Sequence, residues 1–112
     1  MAVLPYGNEV ALNGATPVTL VAAPTGTNKR GIDKDAAGIH NLDSVSHTFT
    51  FQKNKAATIT VIWKVTGVAA GGAAIMPKKV VLDATDESLE VVMEGAHTTT
   101  APRADVAYLE WT

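Results

Sequence analysis

Apolar and polar residues alternate most clearly along residues 47–65, whose sequence is HTFTFQKNKAATITVIWKV. In the first half, His47, Phe49 and Phe51 share one side of an extended chain. After the polar stretch 53–57 the alternation resumes, and its apolar side is formed by Ile59, Val61, Trp63 and Val65. Two such segments joined by a short polar loop predict a β-hairpin.

The aromatic residues of this hairpin are the best candidates for the centre of a hydrophobic core, because the chain has only two Phe and two Trp. Aromatic and β-branched side chains suit a strand with one buried face. With one residue added from an earlier strand, the predicted core comprises Leu20, Phe49, Phe51, Val61 and Trp63.

Short runs rich in Val, Ile, Leu and Thr recur along the rest of the chain. They predict strands at residues 9–12, 18–21, 38–42, 75–82, 89–93 and 105–111. With the hairpin this gives about eight short antiparallel strands, which is typical of a β-sandwich or jelly roll. The expected fold is therefore all-β, a single small domain over residues 1–112, with residues 1–7 as a possible N-terminal arm.

Glycine, proline and asparagine mark the connections between these strands. Asn13 and Gly14 predict a tight turn, since both tolerate a positive φ. Residues 23–30, 66–74 and 95–103 predict loops, and residues 83–88 (DATDES) predict a turn. Pro77 lacks an amide donor and is expected to begin or interrupt its strand. Ile39 is expected to face inward, and no helix longer than one turn is predicted.

Composition and charge mainly exclude certain kinds of site and certain classes of partner. The 112-residue chain has no cysteine, which excludes disulfides, thiolate metal sites and a cysteine nucleophile. Its formal net charge is −2 and its nine Lys and Arg are scattered, so no basic stripe can follow a nucleic-acid backbone. No apolar run approaches the ~20 residues that a membrane helix requires. We therefore expect neither a nucleic acid nor a membrane as partner.

The histidines offer the main candidate chemistry. His40 and His47 would approach each other on adjacent strands, and with Asp43 they are compatible with a metal site. The favoured alternative is that these are polar residues at strand edges with local hydrogen bonds. The acidic residues of the 83–88 turn lack the spacing and the glycine of a calcium loop, so they predict turn and capping interactions.

No arrangement of catalytic residues stands out. The serines lack a G-x-S-x-G context, and Gly71-Gly72 lacks the Lys-Ser/Thr that completes a phosphate loop. Tyr6 and Trp111 are the aromatic residues near the termini that an exposed sugar-binding platform would use. We expect no enzymatic activity, no catalytic or metal-binding residues, and no cofactor.

Three longer segments together resemble small all-β structural proteins encoded by tailed bacteriophages. They are residues 6–24 (YGNEVALNGATPVTLVAAP), 38–58 (GIHNLDSVSHTFTFQKNKAAT) and 80–111 (VVLDATDESLEVVMEGAHTTTAPRADVAYLEW). In such proteins an "IHN-D-V-HT-T" strand pair precedes an "LD-TDESLE" turn and strand, then a "TT-P" loop and a last strand. The resemblance covers most of the chain and concerns strands and turns, without a catalytic signature.

The resemblance implies a virion component, and for a chain this small a capsid decoration (cement) protein. Its partner would be the major capsid protein, and it would form a homo-oligomer, with a trimer favoured. It would lie on the capsid surface of the virion after synthesis in the host cytoplasm. The alternatives are a phage tail or head-fibre subunit and, from another class, a carbohydrate-binding β-sandwich module.

Termini and loops are the elements best able to follow a partner's surface. The expected contact residues are therefore Ala2, Val3, Leu4, Pro5, Tyr6, Asn28, Lys29, Arg30 and Val68. For the N-terminal segment, the alternative is an ordinary edge segment packed on its own domain.

Overall fold

The computed structural model describes residues 3–112, and Met1 and Ala2 lie outside the described residues. From Val3 onward the chain forms strands joined by turns, and none of these residues belongs to a helix that could span a membrane. The strands are β1 (Val3–Ala11), β2 (Val18–Val21), β3 (Lys29–Ile32), β4 (Ala37–His40), β5 (His47–Lys55), β6 (Thr58–Val68), β7 (Ala73–Ile75), β8 (Val80–Leu82), β9 (Glu87–Met93) and β10 (Arg103–Trp111).

Two antiparallel sheets face each other. In the first sheet β10 is central: β1 pairs with its whole length, from Val3 opposite Trp111 to Ala11 opposite Arg103. On the other side of β10, β4 and β3 pair with its first and last residues, and β7 and β8 pair with β4 and β3 in turn. The second sheet has the order β2-β9-β5-β6.

β3 and β4 are the two halves of one interrupted strand, and β7 and β8 are the halves of another. Hydrogen bonds bridge both interruptions, from the Ala107 amide to the Ala36 carbonyl at 2.9 Å and from the Met76 amide to the Ala37 carbonyl at 2.8 Å. When β3 with β4 and β7 with β8 are each counted as one strand, residues 3–112 form eight strands. Numbered in this way along the chain, the first sheet contains strands 1, 8, 3 and 6, and the second contains strands 2, 7, 4 and 5. This is jelly-roll connectivity, so the predicted fold class is confirmed. The predicted strand break at Pro77 lies between β7 and β8.

The core lies between the two sheets, and most of its predicted members are there. Leu20, Phe49 and Phe51 are fully buried, and Trp63 is half-buried against them with its ring centroid 5.9 Å from that of Phe51. Ile39 is buried as expected. So are the three alternating residues of the predicted 89–93 strand, Leu89, Val91 and Met93.

The prediction for Val61 was wrong: its side chain is 59% exposed, and that of Ile59 is 46% exposed. The cause is a β-bulge in the hairpin. Phe51 pairs with Trp63 but Gln52 pairs with Val61, so Ile62 has no partner of its own on β5. A bulge shifts the alternation by one residue. Ile62 therefore packs against the core, while Val61 and Ile59 point outward.

Several predicted loops are shorter than expected. The 23–30 loop ends where β3 begins at Lys29, and the 66–74 loop lies between the end of β6 at Val68 and the start of β7 at Ala73. The hairpin turn is also tighter than the predicted 53–57 loop, since residues up to Lys55 belong to β5. The missed residues gain ladder hydrogen bonds from strands distant in sequence, which a local pattern does not show.

The segment expected as an N-terminal arm belongs to β1 from Val3 onward. It pairs with β10 of the same chain, so its described part matches the alternative of an edge segment packed on its own domain. The predicted turn at Asn13-Gly14 is confirmed: Gly14 has φ 56°, and the Thr16 amide donates to the Asn13 carbonyl at 3.1 Å.

Candidate interaction surface and buried polar cluster

The first half of β1 is an exposed, apolar edge strand. Val3 is 54% exposed, Leu4 50% and Tyr6 42%, although all three lie in a regular strand. Pro5 is compatible with this position because a strand at the edge of a sheet can lack one amide donor. Large apolar side chains are thus held in a fixed extended conformation at the border of the first sheet.

Most of the predicted contact residues converge on one corner of this sheet. Trp111 pairs with Val3 on one side and with Lys29 on the other, so β1 and β3 flank the end of β10. The spacing of strands puts β1 and β3 roughly 10 Å apart there. We call residues 3–6, 28–30 and 109–112 the terminal corner. Ala2 precedes this corner and lies outside the described residues.

The outward face of the terminal corner is mostly apolar, and Lys29, opposite Trp111, is its charged residue. Along β10, Ala104 and Val106 are buried, whereas Ala107 and Leu109 are exposed, so the odd-numbered residues face away from the core. The Trp111 ring lies on this outer face over Gly31, where an added Cβ would come within 2.9 Å of two ring atoms. A groove of about 200 Å³ follows, lined by Pro5, Tyr6, Gly31, Asp33, Ala36, Ala107, Tyr108 and Leu109.

Arg30 and Asn28 hold the terminal corner together from within the chain. The Arg30 Nε donates to Glu110 Oε1 at 2.9 Å, and its Nη1 donates to the Ala22 carbonyl at 2.8 Å. Its guanidinium also lies 5.5 Å from the centre of the Tyr108 ring, a cation–π distance. Asn28 accepts a hydrogen bond from the Thr112 hydroxyl at 3.4 Å. Arg30 therefore positions the corner, and its charge is already compensated by Glu110.

The contact role expected for Val68 does not fit its position. Its side chain is only 7% exposed, and it pairs with His47 at the opposite end of the sandwich from the terminal corner. The prediction assigned Val68 to a flexible loop, but β6 continues through it and buries the side chain.

The aromatic residues considered for sugar binding, Tyr6 and Trp111, each pack one ring face against another part of this chain. The ring of Tyr6 stacks on that of Tyr108 at 5.5 Å and 21°, and the Trp111 ring covers Gly31. The acidic turn has the local role expected of it: Glu87 Oε1 accepts from the Asp83 amide at 2.9 Å, and Lys53 Nζ lies 3.5 Å from Glu87 Oε2.

A buried polar cluster occupies the other end of the sandwich. The His47 ring lies between two carboxylates, with Nε2 2.6 Å from Asp43 Oδ2 and Nδ1 2.8 Å from Glu94 Oε1. His47 and Asp43 thus make local hydrogen bonds, as the favoured alternative proposed, whereas His40 is exposed on the first sheet. Among residues 3–112, no group of three or more metal-ligating side chains is arranged around one point. Glu94 was missed because 47 residues separate it from His47.

Asp43 fastens the loop that follows β9. Its carboxylate accepts from the backbone amides of Thr98, Thr99 and Thr100 at 2.8, 2.8 and 3.3 Å, and from the Ser44 amide at 2.9 Å. Burial alone would raise the pKa of Asp43, but the hydrogen bonds from His47 and these amides outweigh it and hold the pKa well below its usual range.

The Asn41 side chain connects the loop before β5 to the end of β6, at the same end of the sandwich as Asp43. Its buried side-chain amide donates to the carbonyls of Val45 and Val68 at 2.9 and 2.8 Å, and its Oδ1 accepts from the Asp43 amide at 3.1 Å. A buried amide with these partners is fully satisfied, so it fixes the loops without an unpaired polar group. The spacing Asn41-x-Asp43 is the one sequence signal for this network, since Asn favours such local turns.

The hydrogen bonds of the cluster give it a structural role, since they link the loop before β5 to the residues after β9. Burial alone would lower the pKa of His47, but the hydrogen bonds and charges of Asp43 and Glu94 raise it. Both ring nitrogens are engaged by carboxylates, so neither is free to take a proton from a substrate or to bind a metal. Its chemical effect is to hold the loops before β5 and after β9 in one arrangement.

No protein-family model and no curated protein sequence matches the chain. Among solved structures, it is similar to a chain in the acidic stable capsid structure of the Helicobacter pylori bacteriophage KHP30, with 13% identity and a TM-score of 0.63. That likeness covers 100% of this chain and 89% of the other. It is also similar to a chain of Bacillus endospore appendages, described as a novel family of disulfide-linked pili, with 12% identity, a TM-score of 0.57, and coverage of 99% and 87%. At these identities the likeness concerns the fold, which this chain therefore shares with a phage capsid chain and a pilus chain.

Proposed function

We propose that this chain is a virion structural protein, and more narrowly a head decoration (cement) protein that binds the lattice of the major capsid protein. The observation that carries the proposal is the likeness of the entire jelly roll to a chain of a phage capsid. Jelly rolls are frequent in viral capsids. A fold by itself does not imply a function. The further support for the proposal therefore comes from the exposed surface of the terminal corner, and a binding experiment tests it.

The terminal corner is the contact surface in this proposal. Its exposed apolar residues, Val3, Leu4 and Leu109, are held in paired strands, so binding costs little loss of backbone freedom. A capsid lattice repeats each modest contact many times, and binding to the assembled head stabilises it by mass action. The chain performs no catalysis in this role.

The decisive experiment adds purified protein to heads that lack it and measures bound copies against concentration. Saturation at a fixed ratio to the major capsid protein, together with greater resistance of the heads to heat, supports the proposal. Failure to bind heads overturns it.

Matched variants locate the contact. Val3→Ser combined with Leu109→Ser is expected to weaken binding to heads, whereas Val61→Ser, which alters an equally exposed apolar residue on the second sheet, is expected to bind normally. Equal binding by all three proteins would remove the terminal corner from the proposal. Deleting residues 1–5 is also expected to weaken attachment while the domain stays folded, since most of the β1–β10 pairing remains.

Self-association belongs to the same proposal: we expect a homo-oligomer, with a trimer favoured, on the outer surface of the head after synthesis in the host cytoplasm. Sedimentation of the purified chain over a range of concentrations tests it. A single monomeric species at the highest concentration would contradict it.

The second candidate is a tail or head-fibre subunit, which the likeness to a pilus chain favours. Specific binding to tails, or linear assembly of the purified chain without heads, would select this candidate. Binding to a glycan array without binding to heads would instead select the carbohydrate-binding alternative.

A further inference from the structure

The His47 ring contacts two carboxylates from different parts of the chain, and these two carboxylates differ greatly in their exposure to solvent. The Asp43 side chain is fully buried, and that of His47 is 5% exposed, whereas the Glu94 side chain is 45% exposed. Asp43 belongs to the loop before β5, and Glu94 directly follows β9.

Satisfying both carboxylates requires a proton on each ring nitrogen, because a carboxylate accepts hydrogen bonds and donates none. Nε2 faces Asp43 Oδ2 and Nδ1 faces Glu94 Oε1, so the ring is a charged imidazolium in this arrangement. Among the described residues, Asp43 and Glu94 are the charged groups that face it. Phe49 of β5 presents its ring edge at 6.2 Å, and Arg103 pairs with Glu9 instead.

The two carboxylates differ in the number of their other hydrogen-bond donors. The Asp43 carboxylate also accepts hydrogen bonds from the amides of Ser44, Thr98 and Thr99. It therefore keeps hydrogen-bond partners in the interior when the protonation state of His47 changes. Glu94 has one further partner, the Thr48 amide, which donates to its Oε2 at 3.0 Å. Water can replace both partners of Glu94, because its side chain reaches the surface.

We propose that these groups form a latch in which loss of one proton from His47 releases Glu94 and the Thr48 amide, while Asp43 keeps its hold on the 98–100 loop. A neutral imidazole has a single N–H. Keeping that proton on Nε2 serves the buried carboxylate, and the bare Nδ1 then repels Glu94 Oε1. The exposed carboxylate moves into solvent, and the Thr48 amide loses its acceptor. The latch belongs to the isolated chain and does not depend on the proposed function.

The electrostatics of the cluster agree with this geometry. The two carboxylates raise the pKa of His47 above its ordinary value of 6.5, so the latch opens at a higher pH than the one at which an isolated histidine loses its proton.

The test follows the intact chain by NMR across a pH titration. We expect the ring of His47 to titrate above 6.5, the ordinary pKa of a histidine. At that midpoint, protection of the Thr48 amide against hydrogen exchange should fall by about tenfold or more, while protection at Thr98 and Thr99 is retained. Titration of His47 at or below 6.5, or a simultaneous loss of protection at all three amides, would overturn the latch.

Two variants separate this mechanism from a general loosening of the fold. Glu94→Gln removes one of the two negative charges that face the His47 ring. It should move the titration midpoint of His47 to lower pH in a protein that remains folded. Asp35→Asn removes a carboxylate elsewhere, at a residue with φ 69° that Asn tolerates, and should leave the midpoint unchanged. An equal shift in both variants, or no shift in Glu94→Gln, would contradict the proposal.

Discussion

Phe49 and Phe51 lie side by side on β5 and face the opposite sheet, where neither exposes any surface to water. Replacing Phe49 by Ala leaves a cavity that close-packed neighbours fill only in part, so we expect a loss of about 3–5 kcal/mol in the free energy of unfolding. Val61→Ala is the matched control: its side chain already lies in solvent, so we expect a change within about 0.5 kcal/mol. Denaturant unfolding of both variants measures the contrast, and similar losses would contradict the outward shift caused by the bulge.

The titration of the buried cluster gives stability a pH dependence with a definite sign. The pKa of His47 is raised by folding, so its contribution is complete below about 6.5 and is lost as the pH rises through the folded-state value. The pKa of Asp43 is lowered by folding, so its contribution is complete above about 4 and is lost at more acidic pH. The cluster therefore contributes most between these limits.

Urea unfolding measured from pH 5 to pH 9 checks this dependence. We expect the unfolding midpoint to decline above about pH 6.5, and to decline less in Glu94→Gln, in which the pKa of His47 is raised by one carboxylate fewer. A midpoint that increases from pH 6.5 to pH 9 in the unmodified chain, with the same slope in the variant, would contradict the assignment.

The β5–β6 hairpin carries its strain at the turn. Ala56 and Ala57 have φ of 48° and 70°, a left-handed conformation that costs a residue with a Cβ about 1–2 kcal/mol. Asn and Gly are the preferred residues at these two positions of such a turn. Asn54 Oδ1 accepts from the Ala57 amide at 3.0 Å and would continue to do so after substitution, because only the backbone takes part.

Replacing Ala56 by Asn and Ala57 by Gly is expected to raise the free energy of unfolding by about 1–2 kcal/mol. Ala70→Gly is the control, since Ala70 is exposed and does not have a positive φ, so added flexibility there should leave stability unchanged or reduce it. Thermal or denaturant unfolding compares the three proteins. A stabilisation that also appears in Ala70→Gly would remove the turn as its cause.

At the scale of the molecule, β10 is the strand on which the first sheet depends. It pairs with β1, β3 and β4, and it joins the two ends of the chain through the pairing of Val3 with Trp111. Removing residues 103–112 would therefore leave three strands without their partner and take the buried side chains of Ala104 and Val106 out of the core.

We expect the chain without residues 103–112 to lose cooperative unfolding and NMR dispersion. The chain without residues 1–5 should keep both, since it loses only the exposed end of an edge strand. Circular dichroism and amide NMR spectra compare the two truncations. A cooperatively folded protein without β10 would contradict its central position.

Local alternation by itself determined much of this molecule. The strands at residues 18–21 and 89–93, the hairpin, and the burial of Leu20, Phe49 and Phe51 follow from period two, because a strand places successive side chains on opposite faces whatever its partner. With turn residues marking about eight strands, the same information identified the fold class.

Tertiary structure decided what depends on pairing between distant strands. The outward position of Val61 follows from a bulge that exists only where β6 meets β5, and the burial of Val68 follows from the extension of that same strand. Glu94 approaches His47 because β9 pairs with β5, and Val3 lies beside Trp111 because β1 pairs with β10. Each of these contacts joins residues far apart in sequence, so the order and register of strands in the sheets had to be known before the terminal corner and the His47 cluster could be located.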